Sequence, residues 1–397
     1  MTALDQPADS SSTRKSNALK FVVSVGILSF FADFTYEGSR SILGPYLATL
    51  GASAAAVAIV TGFGELLGYG LRLVSGRLAD STRQFWPITI AGYVVQMAAV
   101  PLLALAGSWK MAAVLIVLER VGKATRNPPR DVMLSHAGSE IGRGWAFGLH
   151  EALDQFGALF GPLLVAALLA RQGSYRMAFA VLAIPGAICL VILLIARWLY
   201  PRPEEMERQT THGRTTGLPR IFWWYLAGAA LVAAGFADYP FMAYHLATTG
   251  RVSNQMIPVF YAVAMGVSGV GSLVLGRLYD RIGLGLLIVL TLVTALFAPL
   301  VFFGGTIGAL VGVALWGLGM GVHESLIPAA VAPMVPQEQR ASAYGLFTAG
   351  YGIFWFLGSV AIGLLYERSV MASVIFCVAA ELAAVPILVY VARRVRA

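Results

Sequence analysis

The chain has 397 residues, 58% of them hydrophobic and only 12% charged, with a mean hydropathy of +0.75. Soluble domains carry roughly a quarter charged residues, so this composition excludes a water-soluble globule and makes the bilayer the surrounding medium. The net charge of +8 does not imply nucleic acid, because membrane proteins collect Lys and Arg in the loops they keep in the cytoplasm.

A spanning helix needs about 20 apolar residues to cross about 30 Å of hydrocarbon. Twelve such spans are predicted, at 20–48, 54–76, 86–106, 111–135, 145–170, 177–196, 222–247, 257–276, 284–303, 307–331, 341–366 and 371–392. Unbroken apolar runs such as Ile184 to Ala196 and Leu286 to Phe303 exclude an outer-membrane barrel, whose strands are about 10 residues of alternating polarity. The residues before the first span are polar and Ser-rich, without a cleavable signal, so that span is expected to direct insertion. The longest polar break, Tyr200 to Arg220, contains Pro201 and Pro203 and reads as a linker. The expected organisation is a cytoplasmic tail at 1–19, a six-helix bundle at 20–199, the linker at 200–220 and a second six-helix bundle at 221–397. Cys189 and Cys377 lie inside apolar runs and read as small buried hydrophobes.

Basic residues set the orientation. Seventeen Lys and Arg of the termini and loops fall on one side, against Lys110, Arg171, Arg176, Arg251 and Arg368 on the other. This asymmetry puts both termini in the cytoplasm and makes the inner membrane the expected location. The halves also repeat each other. "FADF" at 31–34 returns as "FADY" at 236–239, "GRLAD" at 76–80 as "GRLYD" at 276–280, and "AFGL" at 146–149 as "AYGL" at 343–346. Two repeats around a cavity is the plan of alternating-access transporters.

The segment Gly276-Arg277-Leu278-Tyr279-Asp280-Arg281-Ile282-Gly283 resembles the signature loop of the major facilitator superfamily. The first copy keeps Gly76 and Asp80, but has Ser81 in place of a basic residue and Arg83 in place of a glycine. The resemblance covers essentially the whole chain. It implies two pseudo-symmetric bundles of six transmembrane helices, an all-α membrane fold, and a small-molecule substrate moved by a monomer. It further implies that the motif residues Gly76, Asp80, Arg83, Gly276, Asp280 and Arg281 act on the conformational equilibrium. Gly157, Gly161 and Pro162 resemble the helix-5 element of the family's antiporters. A close-packed small-residue seam is the other reading of the same residues. Arg120 lies at about the depth of the family's helix-4 cavity arginine.

Charges within spans are rare, because each costs roughly 2.5–3.5 kcal/mol at a helix centre. This chain carries Asp33, Glu37, Arg40, Glu65, Arg72, Glu119, Arg120, Glu151, Asp154, Asp238, Glu324 and Glu381. They must therefore face a wet cavity or one another. Asp33, Glu37 and Arg40 share one helical stripe, Glu119, Lys123, Asn127 and Arg130 another, and Glu151 and Asp154 a third. Asp33, Glu37, Glu119, Arg120, Glu151, Asp154 and Asp238 are the proton-coupling candidates. Asp33 and Asp238 are taken as equivalent positions in the two halves. Structural pairs Glu37–Arg40 and Glu65–Arg72 are the competing reading. Lys123, Arg126 and Arg130 are read first as anchors for anionic headgroups, and Pro128 and Pro129 are expected to bend or end their helix. Arg40, Lys123, Tyr239, His323, Glu324, Tyr351 and Trp355 are the substrate-cavity candidates. Tyr351, Phe354 and Trp355 could equally face lipid.

Two strings point elsewhere. "GVSG" at 266–269, with His323 as a base, matches the serine motif of an intramembrane protease, but a twelve-span duplicated plan is not a protease's. "GLGMG" at 317–321 follows no strand and is not a dinucleotide loop. His150, His245 and His323 lack metal-ligand spacing, so no metal and no cofactor are expected. The function expected is proton-coupled export of a small, amphipathic organic solute across the lipid bilayer. An importer or facilitator of an anionic metabolite is the second reading, and a membrane-embedded enzyme the rival class.

Overall fold

The computed structural model describes residues 8–201, 217–336 and 340–396; the middle of the expected linker and the start of the tail lie outside them. The first half comprises α1 (Ala8–Arg40), α2 (Leu43–Thr49), α3 (Ala54–Thr82), α4 (Phe85–Leu102), α5 (Trp109–Ile141), α6 (Arg143–Gln172), α7 (Tyr175–Val181) and α8 (Ala183–Leu199). The second comprises α9 (Arg220–Gly235), α10 (Tyr239–Thr248), α11 (Ile257–Ile282), α12 (Leu284–Thr294), α13 (Phe297–Phe303) and α14 (Thr306–Gly321). A π turn at Val322–Leu326, α15 (Ile327–Ala329), α16 (Arg340–Arg368) and α17 (Val370–Arg396) complete it.

Among the described residues, eleven helical segments are long and apolar enough to cross a membrane. They coincide with the expected spans except the fourth. That span is α5, which carries Glu119, Arg120, Lys123, Arg126, Arg130 and Asp131 and is too polar to face lipid alone. It packs against α1, α3, α4 and α6, where its charges find partners in place of hydrocarbon. Pro128 and Pro129 do not end it. Pro128 removes the donor for the Ala124 carbonyl, and the Ser75 hydroxyl of α3 donates to that carbonyl at 2.8 Å. Neighbouring side chains commonly satisfy a backbone group freed by proline within membranes.

At one end of the bundle, Ser53, Ser108 and Ser174 cap α3, α5 and α7 by accepting from the N–H three residues on, which satisfies donors that a helix start leaves open. At this end the first span of each half is interrupted. The first breaks after Arg40 and the seventh after Gly235. The resumed pieces α2 and α10 lie against each other so closely that a Cβ at Gly44 would collide with the Pro240 carbonyl. The halves also meet along α3 with α16 and α6 with α11.

The interiors differ. The first half holds two apolar clusters. One, around Phe21, Trp86 and Met133, lies toward the end carrying Arg83; the other, around Tyr46, Leu103 and Phe179, lies toward the end carrying Gly51. A belt of buried charge separates them. The second half holds one continuous cluster rich in aromatic rings, to which Ala54, Ala58 and Ala158 of the first half contribute.

Candidate functional site

The belt is organised around three guanidinium groups. Arg40, the last residue of α1, donates to Glu65 Oε1 at 3.1 Å and to Asp238 Oδ1 at 3.2 Å. Arg120 of α5 reaches the same Glu65 oxygen at 3.0 Å, so one carboxylate of α3 ties α1 to α5 while Arg40 ties both to the second half. Arg126 is fully buried. Its fork donates to Gln96 Oε1 at 2.6 Å, the Tyr93 hydroxyl at 2.8 Å and Asp33 Oδ1 at 3.4 Å. Gln96 passes the chain on by donating to Glu119 at 3.0 Å. A planar five-donor fork suits such a multipoint site, which a lysine point charge could not fill.

A second link joins the halves. Tyr261 of α11 donates to Glu37 Oε2 at 2.5 Å, and Lys123 lies 4.0 Å from Glu37 and 3.7 Å above the Tyr36 ring. Glu37, Arg40, Glu65, Arg120 and Lys123 face Tyr69, Glu324 and Trp355 across a cavity of about 50 Å³. Such a space holds a few waters, whereas small-molecule sites run to roughly 300–1,000 Å³. The halves are thus closed on a polar centre.

Several expectations need correction. Glu37 does not pair with Arg40, nor Glu65 with Arg72; the partners lie on other helices, and Arg72 sits over the Tyr69 ring at 5.6 Å. Arg126 and Arg130 are not headgroup anchors, because both are buried. Arg130 engages Asp131 at 2.8 Å and the Ser29 hydroxyl at 3.3 Å. Asp33 and Asp238 are not equivalent. Asp33 lies within α1, eighteen residues before Gly51, whereas Asp238 immediately precedes α10 after the break, twelve before Gly250. The loops "LATLG" and "LATTG" that end in these two positive-φ glycines are the matching landmarks, and the shorter "FAD" match is out of step with them.

The antiporter-like residues face inward within their own half. A Cβ at Gly157 or Gly161 would collide with the carbonyls of Phe30 and Phe34 on α1, the small-residue seam that was the other reading of this string, and Pro162 lies inside α6. The aromatic ambiguity also resolves. Tyr351 and Trp355 are buried against the second half's core, while Phe354 is exposed. Tyr239 is buried and donates to the Ile257 carbonyl. His323, in the π turn, bonds through Nδ1 to the Tyr351 hydroxyl at 2.7 Å and packs tilted against the Phe236 ring, 4.2 Å between centroids. It is not engaged with Ser268, which removes the protease geometry.

Of the loop motif, Asp80's side chain lies outside the described residues, and Asp280 and Arg281 are exposed. Arg83 closes α3 in the left-handed region, φ +54°, and Gly283 closes α11 at φ +68°. The departure from glycine in the first copy therefore falls on a residue that adopts the conformation glycine favours. His150, Glu151 and Asp154 bring three potential ligand atoms within 4.8 Å of one another, which the spacing argument did not anticipate. His150 Nε2, however, is 2.7 Å from Ser29, and Glu151 accepts from Gln155.

Arg126, Gln96, Tyr36 and Tyr261 were missing from the expected site. Gln96 and Tyr261 sit in runs with no charge to mark them, and only the packing of α4 and α11 brings them to the belt.

Residues 25–359 match the model of the Major Facilitator Superfamily. The chain belongs to that family. It is accordingly a multi-pass membrane transporter and not an enzyme. An uncharacterized protein of Mycobacterium tuberculosis is 42% identical over 375 residues, covering 93% of this chain and 92% of its own. An MFS-type efflux pump of Mycolicibacterium smegmatis is 26% identical, covering 86% and 84%. Among solved structures, a nucleoside transporter superposes with a TM-score of 0.74 at 15% identity, covering 95% of this chain and 99% of the other. A bacterial homolog of the human lysosomal transporter Spinster, inward-facing, gives 0.68 at 16%, covering 96% of each. At such identities these likenesses speak for the fold alone.

Proposed function

We propose that this transporter is a proton-coupled exporter of small amphipathic organic solutes, working by alternating access as a monomer in the inner membrane, with both termini cytoplasmic. The observation that carries the reading is the bond from Arg40 to Asp238, a buried ion pair spanning the two halves beside the polar cavity. Protonation of Asp238 would free Arg40 to remain with Glu65, loosening the halves where α2 meets α10. A substrate cation could do the same by competing for the carboxylates. Asp33, Glu37, Glu119 and Asp154, all within the same belt, are the alternative proton carriers, with Arg120 adjusting them electrostatically. Export is supported by the efflux pump of Mycolicibacterium smegmatis among the relatives.

The test is transport in proteoliposomes under an imposed pH gradient, with a panel of amphipathic cations, neutral amphiphiles and organic anions. At least one amphipathic solute should accumulate, in the direction opposite to proton flow. Reporter fusions after Arg220 and after Arg396 should both read as cytoplasmic. The second reading, import of an anionic metabolite, draws on Arg40, Arg72, Arg120 and Lys123 lining the cavity. Accumulation of organic anions alone, driven in the same direction as the proton, would replace the first reading by it.

A further inference from the structure

A second cavity, of about 330 Å³, opens on the seam between α6 and α11. Its volume falls within the range of small-molecule sites, unlike that of the central one. Phe156, Leu159, Met265, Val270 and Leu273 line it, and Phe156, Val270 and Leu273 are exposed on the outer face of the bundle. In a membrane-spanning chain that face meets the bilayer. Gly266 and Gly269 supply the floor, and at Gly266 the nearest side-chain atom to an added Cβ is 3.8 Å away.

One wall is polar. Glu151 and Gln155, joined by a 3.0 Å hydrogen bond, line the cavity on the α6 side. Glu151 interacts electrostatically with Asp154 on its own helix and with Glu324 of the π turn. Among the described residues none of these three carboxylates has a cation within ion-pair distance, and one Asp154 oxygen is buried without a partner. The nearest cations are committed elsewhere, Lys123 to Glu37 and the Tyr36 ring, and Arg130 to Asp131. Carboxylates gathered at the edge of hydrocarbon disfavour one another's charged form, and an external cation beside them would relieve that cost.

We infer that this seam is a membrane-facing binding site for a single-tailed amphiphilic cation. Its alkyl chain lies along Phe156, Val270 and Leu273, and its ammonium group sits at Glu151. Entry would be lateral, from the bilayer, with the head group next to Glu324 at the edge of the central polar centre. The inference rests on the exporter reading only for its role in transport; binding is separable from it.

The full chain in phosphatidylcholine nanodiscs is titrated with radiolabelled dodecyltrimethylammonium, with uptake by empty nanodiscs subtracted. Saturable binding is expected, displaced by unlabelled dodecyltrimethylammonium and far less by dodecyl sulfate or tetramethylammonium. Glu151→Gln, nearly isosteric, should weaken binding about tenfold, equivalent to about 1.4 kcal/mol. Gly266→Leu, which fills the cavity, should remove it while Glu151→Gln guards against simple misfolding of that variant. Equal displacement by dodecyl sulfate would mean a groove filled by lipid chains and overturn the site, as would unchanged affinity in Glu151→Gln. Saturable binding without pH-driven transport of any amphiphile would sink the exporter reading and leave the site standing; transport without saturable binding would do the reverse.

Discussion

The two halves share helix order and broken first spans, yet they are stabilised by different chemistry at the same depth. Between its two apolar clusters, the first half places Asp33, Glu37, Arg40, Glu65, Glu119, Arg120 and Arg126. The second half fills the comparable region with Phe236, Tyr239, Tyr261, Trp316, Tyr351 and Trp355 in mutual ring contact. Of its buried carboxylates among the described residues, Asp238 turns to Arg40 of the first half, and Glu381 has Thr294 at 3.2 Å and no partner on its other oxygen. Charged belts fix helices by direction and partner identity, whereas ring packing fixes them by volume and tolerates small sliding motions. The comparison teaches that duplication conserved the path of the backbone and left the interior free to specialise. The charged half places buried ionisable groups beside the polar cavity, and the aromatic half supplies an apolar wall.

The largest expected effect falls on the belt of the first half. Arg126→Met should destabilise the protein by about 3–5 kcal/mol, because Asp33 and Gln96 lose a buried partner. Thermal unfolding in detergent measures it, and Arg126→Lys should recover little, since one ammonium cannot reach three acceptors. A variant of near wild-type stability would mean that the belt is a set of independent charges rather than a structural unit.

Asp238→Asn tests the link between the halves. It should reduce gradient-driven transport at least tenfold while leaving substrate exchange without a gradient detectable. Retained uphill transport would move coupling to Asp33, Glu119 or Asp154 within the first half, and sharpen the division between them. Tyr261→Phe removes the bond to Glu37. A hydrogen bond to a charged group contributes roughly 1.5–3 kcal/mol, so the closed state should lose about that much. Cysteine labelling at positions along α2 and α10 should then become faster. Unchanged labelling would mean that the Arg40 bond and the bond from the Ala55 N–H to Glu367 hold the halves without it.

The smallest effect separates the two loop copies. Left-handed backbone costs a residue with a Cβ about 1–2 kcal/mol relative to glycine, and Arg83 bears this where Gly283 does not. Arg83→Gly should raise stability by about 1 kcal/mol, and Gly283→Arg should lower it by more, about 1–3 kcal/mol, because φ +68° with ψ −148° is a region that only glycine adopts readily. Opposite signs would show that the Arg83 side chain contributes more than its backbone costs.

The sequence by itself determined the solvent, the helices and the duplication. Hydrophobic length is a local property, and the penalty for exposing backbone polar groups to lipid leaves a helix little alternative. It also marked Asp33, Glu37, Arg40, Glu119 and Arg120 as buried, because charges cannot face hydrocarbon. Tertiary structure alone decided their partners. Glu37 and Arg40 are neighbours on one helix, yet one turns to Tyr261 and the other to Glu65 and Asp238. Spacing along a helix gives the face a side chain shares, but a partner is chosen by which other helix comes within about 3 Å, and that depends on close approaches such as Gly44 on Pro240 and Gly161 on Phe34. The same limit explains Pro128, which reads as a helix breaker until Ser75 of a neighbouring helix supplies the missing donor.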